Sequence, residues 1–320
     1  MSKRHPTLAY LAVFFSCAVC GLCLRSAFSQ TKTTKSDADI SKIGHRSVGE
    51  GPNFYSLDKE AALGKRIAQE VERSSKLIDD PIVVLYTNQL AQKIAQNSDA
   101  RFPITVRVID TDVISAFTLP GGPQYINKAL ILQTETEGEL ASVLSYGIAS
   151  TALRGSTRVA TKVELMQSAT IPLILLGPGG WSGYNISQQS NLAIPVTYFK
   201  FQRDFAFAAD YFGIQYLYKS GYDPESMPRF FERVWPLTPA GSKSVPNTFS
   251  PYPPLQDRLK AMRTEIQRIL PPCDTGTVST SDFENVKEHL RSWNPPNPTD
   301  PDGKKPILRK SSSKPRPVQP

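Results

Sequence analysis

A zinc hydrolase of the helical kind needs two imidazoles one turn apart, and this sequence of 320 residues has no such pair. Its histidines are His5, His45 and His289, separated by far more than the four residues that place two ring nitrogens on one helical face. Thiolate ligation is no better supplied. Cys17, Cys20 and Cys23 cluster near the N-terminus, and Cys273 stands alone after Pro271-Pro272 as a loop residue. Ser145 and Ser150 lie in a helical stretch, but neither sits in a Gly-x-Ser-x-Gly elbow and no histidine is near in sequence to act as base. A Ser–Lys pair stays open. Gly177, Gly179, Gly180 and Gly183 lack the spacing and the lysine of a phosphate-cradling loop. The residue types therefore imply no bound metal and no cofactor.

Charge and composition narrow the partners. Hydrophobic residues make up 40% and charged residues 21%, the balance of a globular chain long enough to bury a core. Residues 1–29 read as a secretion signal. Lys3 and Arg4 precede an apolar run over residues 8–24, and Ala27-Phe28-Ser29 offers a small-x-small cleavage site. An uncleaved anchor is the alternative, because the run is near the lower length for spanning a bilayer. The expected location is the periplasm or cell envelope. The formal charge of +8 falls to +5 without the signal, which holds Lys3, Arg4 and Arg25. Setting aside Lys304, Lys305, Arg309, Lys310, Lys314 and Arg316 as well leaves the body near −1. The basic balance is a property of the tail, which argues against a folded nucleic-acid surface.

The elements that must position any site are mostly helical. Residues 30–52 are polar and aperiodic and read as a flexible linker to a domain over 53–294, and 295–320 is a disordered Pro-, Ser- and Lys-rich tail. Ser56 caps a first helix with Leu63, Ile67, Val71 and Ser74 on one face; Pro81 opens a second carrying Val84, Leu85, Leu90 and Ile94. Residues 105–109 are β-branched and predict a strand, Pro120-Gly121-Gly122 a turn, and Gln124-Tyr125-Ile126 a short strand at a sheet edge. Long helices follow over 136–154 and 194–220. Pro224 opens a helix with Met227, Phe230, Phe231 and Val234 on its core face. Pro253-Pro254 precedes one through Leu259, Met262 and Ile266, and Ser281 caps the last. Between them, residues 165–176 are strongly apolar and lead into the glycine-rich stretch ending at Tyr184. That run reads as a buried helix and loop, with a loop touching lipid or covering a groove as the sharper alternative.

Two separated stretches carry a resemblance. Phe117-Thr118-Leu119-Pro120-Gly121-Gly122 with the strand after it, and the helix from Glu139, resemble the CAAX-endoprotease-like zinc metallopeptidases, especially their periplasmic bacterial branch. Arg203, Ala209, Asp210 and Gly213, then Gly221-Tyr222-Asp223-Pro224, match the same pattern. The resemblance implies an α+β, mostly α, gluzincin-like fold with a small sheet beside the motif helix. It also implies a His-Glu-x-x-His motif whose positions are held here by Tyr146, Gly147 and Ser150. Ala206 stands at the third-ligand glutamate and Tyr252 at a later histidine, whereas the supporting Asp210 and Arg203 are retained. Leu119, Pro120, Gly121, Gly122, Gln124 and Tyr125 would border a groove in which extended chain adds as an edge strand.

The expectation is thus a zinc-free, peptide-binding or chaperone-like relative of these peptidases. Its partners would be extended segments of envelope proteins or an active family member. The competing readings are a working metalloendopeptidase that cleaves misfolded envelope proteins, and a membrane-surface structural protein held by residues 165–184 and the basic tail.

Overall fold

The computed structural model describes residues 37–49, 51–166, 196–237, 254–272 and 279–293. The expected leader, residues 167–184 of the apolar and glycine-rich run, Tyr252, Cys273 and the tail lie outside them.

Helix ends follow local chemistry. In α1 (Leu57–Ser74) the Ser56 hydroxyl accepts from the Lys59 N–H, and Asp58 and Glu60 complement the positive end of the helix dipole. In α2 (Pro81–Ala95) the Asp80 carboxylate accepts from Ile82 and Val83, with proline at the first-turn position where its missing N–H costs nothing. The buried face of α2 is Val83, Thr87, Leu90, Ala91 and Ile94. Leu90 and Ile94 lie on it as expected, but Leu85 is 59% exposed, because at helical spacing it falls on the side of α2 opposite Val83, Leu90 and Ile94.

Three strands follow, β1 (Thr105–Ile109), β2 (Ala116–Thr118) and β3 (Pro123–Asn127), in the order β1-β3-β2. β3 pairs parallel with β1 and antiparallel with β2. The strand carrying Gln124 and Tyr125 is therefore central. The sequence expectation of an edge there fails because β2, three residues just before the expected turn, takes the outer place.

One face of the sheet joins the main core through Val106, Val108, Ala116 and Ile126. On the other face, Ile109, Leu119 and Tyr125 pack under Ile67, Ala68 and Val71 of α1, with Phe117 stacked on Tyr125 at 5.1 Å. The turn between β2 and β3 meets α1 backbone to backbone. A Cβ on Gly64 would lie 1.7 Å from the Pro120 carbonyl oxygen, and Gly121, at φ 78°, sits against Ala61.

After β3 come α3 (Lys128–Gln133), α4 (Glu137–Ala152), α5 (Gly155–Met166), α6 (Val196–Lys219), α7 (Ser226–Val234), α8 (Leu255–Ile269) and α9 (Ser281–Ser292). The cap of α9 is Thr280, one residue before the expected Ser281. Helix α6 ends where Gly221 turns left-handed at φ 84°. Helix α4 lies between α2, α6, α7 and β2. Every residue in it is buried except Tyr146 and Ser150. A helix buried on nearly every side belongs in a core, and its polar side chains Glu139, Ser142, Ser145 and Thr151 are hydrogen-bonded there.

Residues 37–49, expected to belong to a flexible linker, are packed instead. The buried Arg46 guanidinium donates to Asp99 at 2.6 and 3.0 Å and to Gln215 Oε1 at 2.7 Å, and Tyr216 donates to the same Asp99. Ile43 and Val48 enter the core on either side of it. Polar composition hid this because one arginine carries the attachment.

Gly64→Ala is expected to destabilise the fold by about 2 kcal/mol or more, since the added methyl meets backbone that cannot rotate away. The urea midpoint reads this directly. A neutral or stabilised variant, as helix propensity alone gives, would contradict the close approach.

Candidate functional site

The face that α4 leaves open carries Tyr146 and Ser150, an i, i+4 pair. These are the two positions at which the resemblance sets imidazoles. Neither side chain is arranged for acid–base work. Ser150 Oγ donates back to the Tyr146 carbonyl at 2.9 Å. Ser145, fully buried, donates to the Gly213 carbonyl at 2.6 Å and so ties α4 to α6. Both serines considered as nucleophiles thus hold helix backbone. Burial pushes the Tyr146 hydroxyl up to about 12, with Arg258 opposing the rise and Asp210 adding to it. The phenol is neutral at physiological pH.

Beneath Tyr146 lies a charge pair. Arg258 Nε donates to Asp210 Oδ2 at 2.8 Å and Nη2 to Oδ1 at 2.7 Å, with both side chains almost wholly buried. The guanidinium carbon lies 5.2 Å from the Tyr146 ring centroid and 4.7 Å from that of Phe231. Burial raises the Asp210 carboxyl while Arg258 pulls it back. Burial also works against the Arg258 cation, but Asp210 prevails and holds it charged. The retained Asp210 is therefore committed to an arginine on α8.

Sequence reasoning missed Arg258. Its signal was present, because Leu255, Arg258, Leu259, Met262 and Ile266 share one helical face and only one of them is charged. Arg203, the other residue the resemblance retains, is half-buried with its guanidinium 5.6 Å from the Phe207 ring centroid.

Gly147 and Ala206 stand where the resemblance sets the two glutamates. Ala206 is 7% exposed and apolar. At Gly147 a side chain would meet two others from the sheet, which would have to shift: a Cβ would lie 2.6 Å from Thr118 Oγ1 and 2.8 Å from Gln124 Cδ and Oε1. Zinc requires imidazole, thiolate or carboxylate donors around one point. Among the described residues no group of three His, Cys, Asp or Glu side chains gathers in that way. His45 is exposed, and His289 lies on α9 beside Asp80 at 3.5 Å. The described residues do not fit the metal, and no chemical step is routed through it.

The expected groove residues take up packing roles. Leu119, Pro120, Gly122, Gln124 and Tyr125 are buried, and only Gly121 is partly exposed. α1 covers the turn, and β1 and β2 flank the strand, so these side chains do not line an open groove. Thr118, partly exposed beside Gly147, was not singled out by the sequence. A separate cavity of about 260 Å³, lined by Glu135, Glu139, Asp223, Arg229 and Arg233, lies at the N-terminal end of α4. Its charges are matched within the lining, Arg229 to Asp223 and Arg233 to Glu135 and Glu139.

Arg258→Met strands a buried carboxylate and is expected to cost about 3–5 kcal/mol, while Asp210→Leu with Arg258→Met recovers most of that loss. A double-mutant cycle by denaturant unfolding measures both. Additive losses would contradict direct coupling.

Residues 85–266, more than half the chain, match peptidase family M48. The "Beta-barrel assembly-enhancing protease" of Yersinia pestis is 29% identical over 247 residues, 73% of this chain and 49% of that protein. The protein of the same name in Escherichia coli (strain K12) is 26% identical over 226 residues, 68% of this chain and 45% of its own length. The chain thus spans about half the length of these relatives. With the family's model matched over more than half its length, this chain belongs to the M48 family of peptidases.

Proposed function

We propose that this chain is an exported M48 relative that engages extended segments of envelope proteins without a metal and without cutting them. The observation that carries the reading is the open face of α4. Its two partly exposed side chains are a neutral phenol and a hydroxyl, where hydrolysis needs imidazoles and a general base. The sequence offers no second source, because none of its three histidines lies on α4, α6, α7 or α8. The leader-like N-terminus supports export, and among the described residues no helix is long and apolar enough to cross a membrane.

The names of the relatives favour incompletely assembled β-barrel proteins as the class of client. Such clients expose extended, alternating segments. We place them along β2, an outer strand of the sheet, beside the Tyr146–Ser150 face, since chain recognition through shape and backbone needs no catalytic ion. Partnership with an active relative is the other form of the same role. A second reading, a working metalloendopeptidase, is favoured by the relatives being named proteases.

Fluorescein-labelled casein separates these. The mature chain is expected to raise its anisotropy in a saturable way and leave it uncut, with EDTA changing neither result. Chelator-sensitive cleavage would establish the second reading. Absence of both binding and cleavage would remove the first.

A further inference from the structure

Thr118 on β2 and Gln124 on β3 are directly opposed across the sheet. Both reach α4 at the same point, within 2.6–2.8 Å of where a Gly147 side chain would begin. Thr118 is β-branched, which restricts the χ1 rotation that would move its hydroxyl aside. Gln124 is 3% exposed, and its Nε2 has no hydrogen-bond partner among the described residues. A buried amide left with an unmade bond is unfavourable, so packing rather than hydrogen bonding holds it there. Glycine within a helix is unfavourable as well, and here the close approach from the sheet accounts for it.

From this contact we infer that Thr118 and Gln124 are the residues that close the family's metal niche, a second barrier separate from the exchanged ligand positions. This inference rests on the metal-free reading above and sharpens it. The side chain that would activate water has to leave α4 at residue 147, and the sheet fills its path. Restoring donors on α4 and α6 alone would therefore leave a carboxylate with nowhere to go.

The niche has a direct consequence for Gly147→Ala. Helix propensity alone would raise stability, whereas the contact with Thr118 and Gln124 reverses the sign. In the otherwise unchanged chain the melting temperature is expected to drop by about 3–6 °C. In a Thr118→Ala, Gln124→Ala background the same substitution is expected to be neutral or stabilising. An unchanged or higher melting temperature for Gly147→Ala alone overturns the inference, and so does an equal drop in both backgrounds. If the double background does not fold, the sign in the single variant decides.

A zinc titration adds a second readout. The variant with Tyr146→His, Gly147→Glu, Ser150→His and Ala206→Glu is expected to take up no zinc, followed by mass spectrometry after dialysis. Adding Thr118→Ala and Gln124→Ala is expected to bring uptake towards one ion per chain. Stoichiometric zinc on the first variant, with Thr118 and Gln124 intact, overturns the inference. If neither variant takes zinc, the Gly147→Ala comparison alone decides. Zinc on the unaltered chain would instead overturn the proposed function, while the Gly147→Ala result would still report on the contact.

Discussion

Helix α4 is hemmed in on all sides but one, and the rest of the structure is arranged around that constraint. α2 and α7 pack against it, α6 lies close enough for Ser145 to reach the Gly213 carbonyl, and the sheet approaches at Gly147. A helix in that position has little freedom to choose side chains. Small residues are set by neighbouring backbone, large ones by the volume left over. Only Tyr146 and Ser150 are partly exposed, and they fall one turn apart, where the resemblance sets the family's two imidazoles.

On the metal-free reading proposed above, electrostatics accounts for the neutral residues at Gly147 and Ala206. A carboxylate buried without a cation is strongly unfavourable, so a site that holds no metal is most stable when its acidic ligands are gone. Gly147 and Ala206 meet that condition. Asp210 is met by Arg258 with two hydrogen bonds, and Tyr146 and Phe231 cover the guanidinium with their ring faces. The pair also joins α6 to α8, with α4 and α7 supplying the rings. Buried pairs of this kind contribute little net stability, yet losing one partner is severe. The cluster therefore fixes how these helices sit together more than how strongly they hold.

Local chemistry made much of the fold legible. Ser56 as a cap, Pro81 at a first turn, the β-branched run of β1 and Gly221 after α6 each act through a few neighbouring atoms, and each was readable from sequence. What failed was non-local. β2 has only three residues and no alternation long enough to detect, so β3 was read as an edge when it is central. α5 begins at a glycine and mixes polar with apolar residues, and it was not foreseen. The packed N-terminal segment depends on one arginine finding Asp99 from 53 positions away. At the site, Tyr146, Gly147, Ser150 and Ala206 were reached through the family resemblance, but their meeting with Thr118, Gln124 and Arg258 exists only once strands and helices assemble.

Metal content tests the central claim most directly. The mature chain would be purified without chelator, equilibrated with excess zinc, dialysed, and measured for metal per chain by inductively coupled plasma mass spectrometry. No stoichiometric zinc is the result that follows from a neutral, filled niche at Gly147. One tightly held zinc per chain, lost together with a shift in melting temperature on adding EDTA, would contradict it.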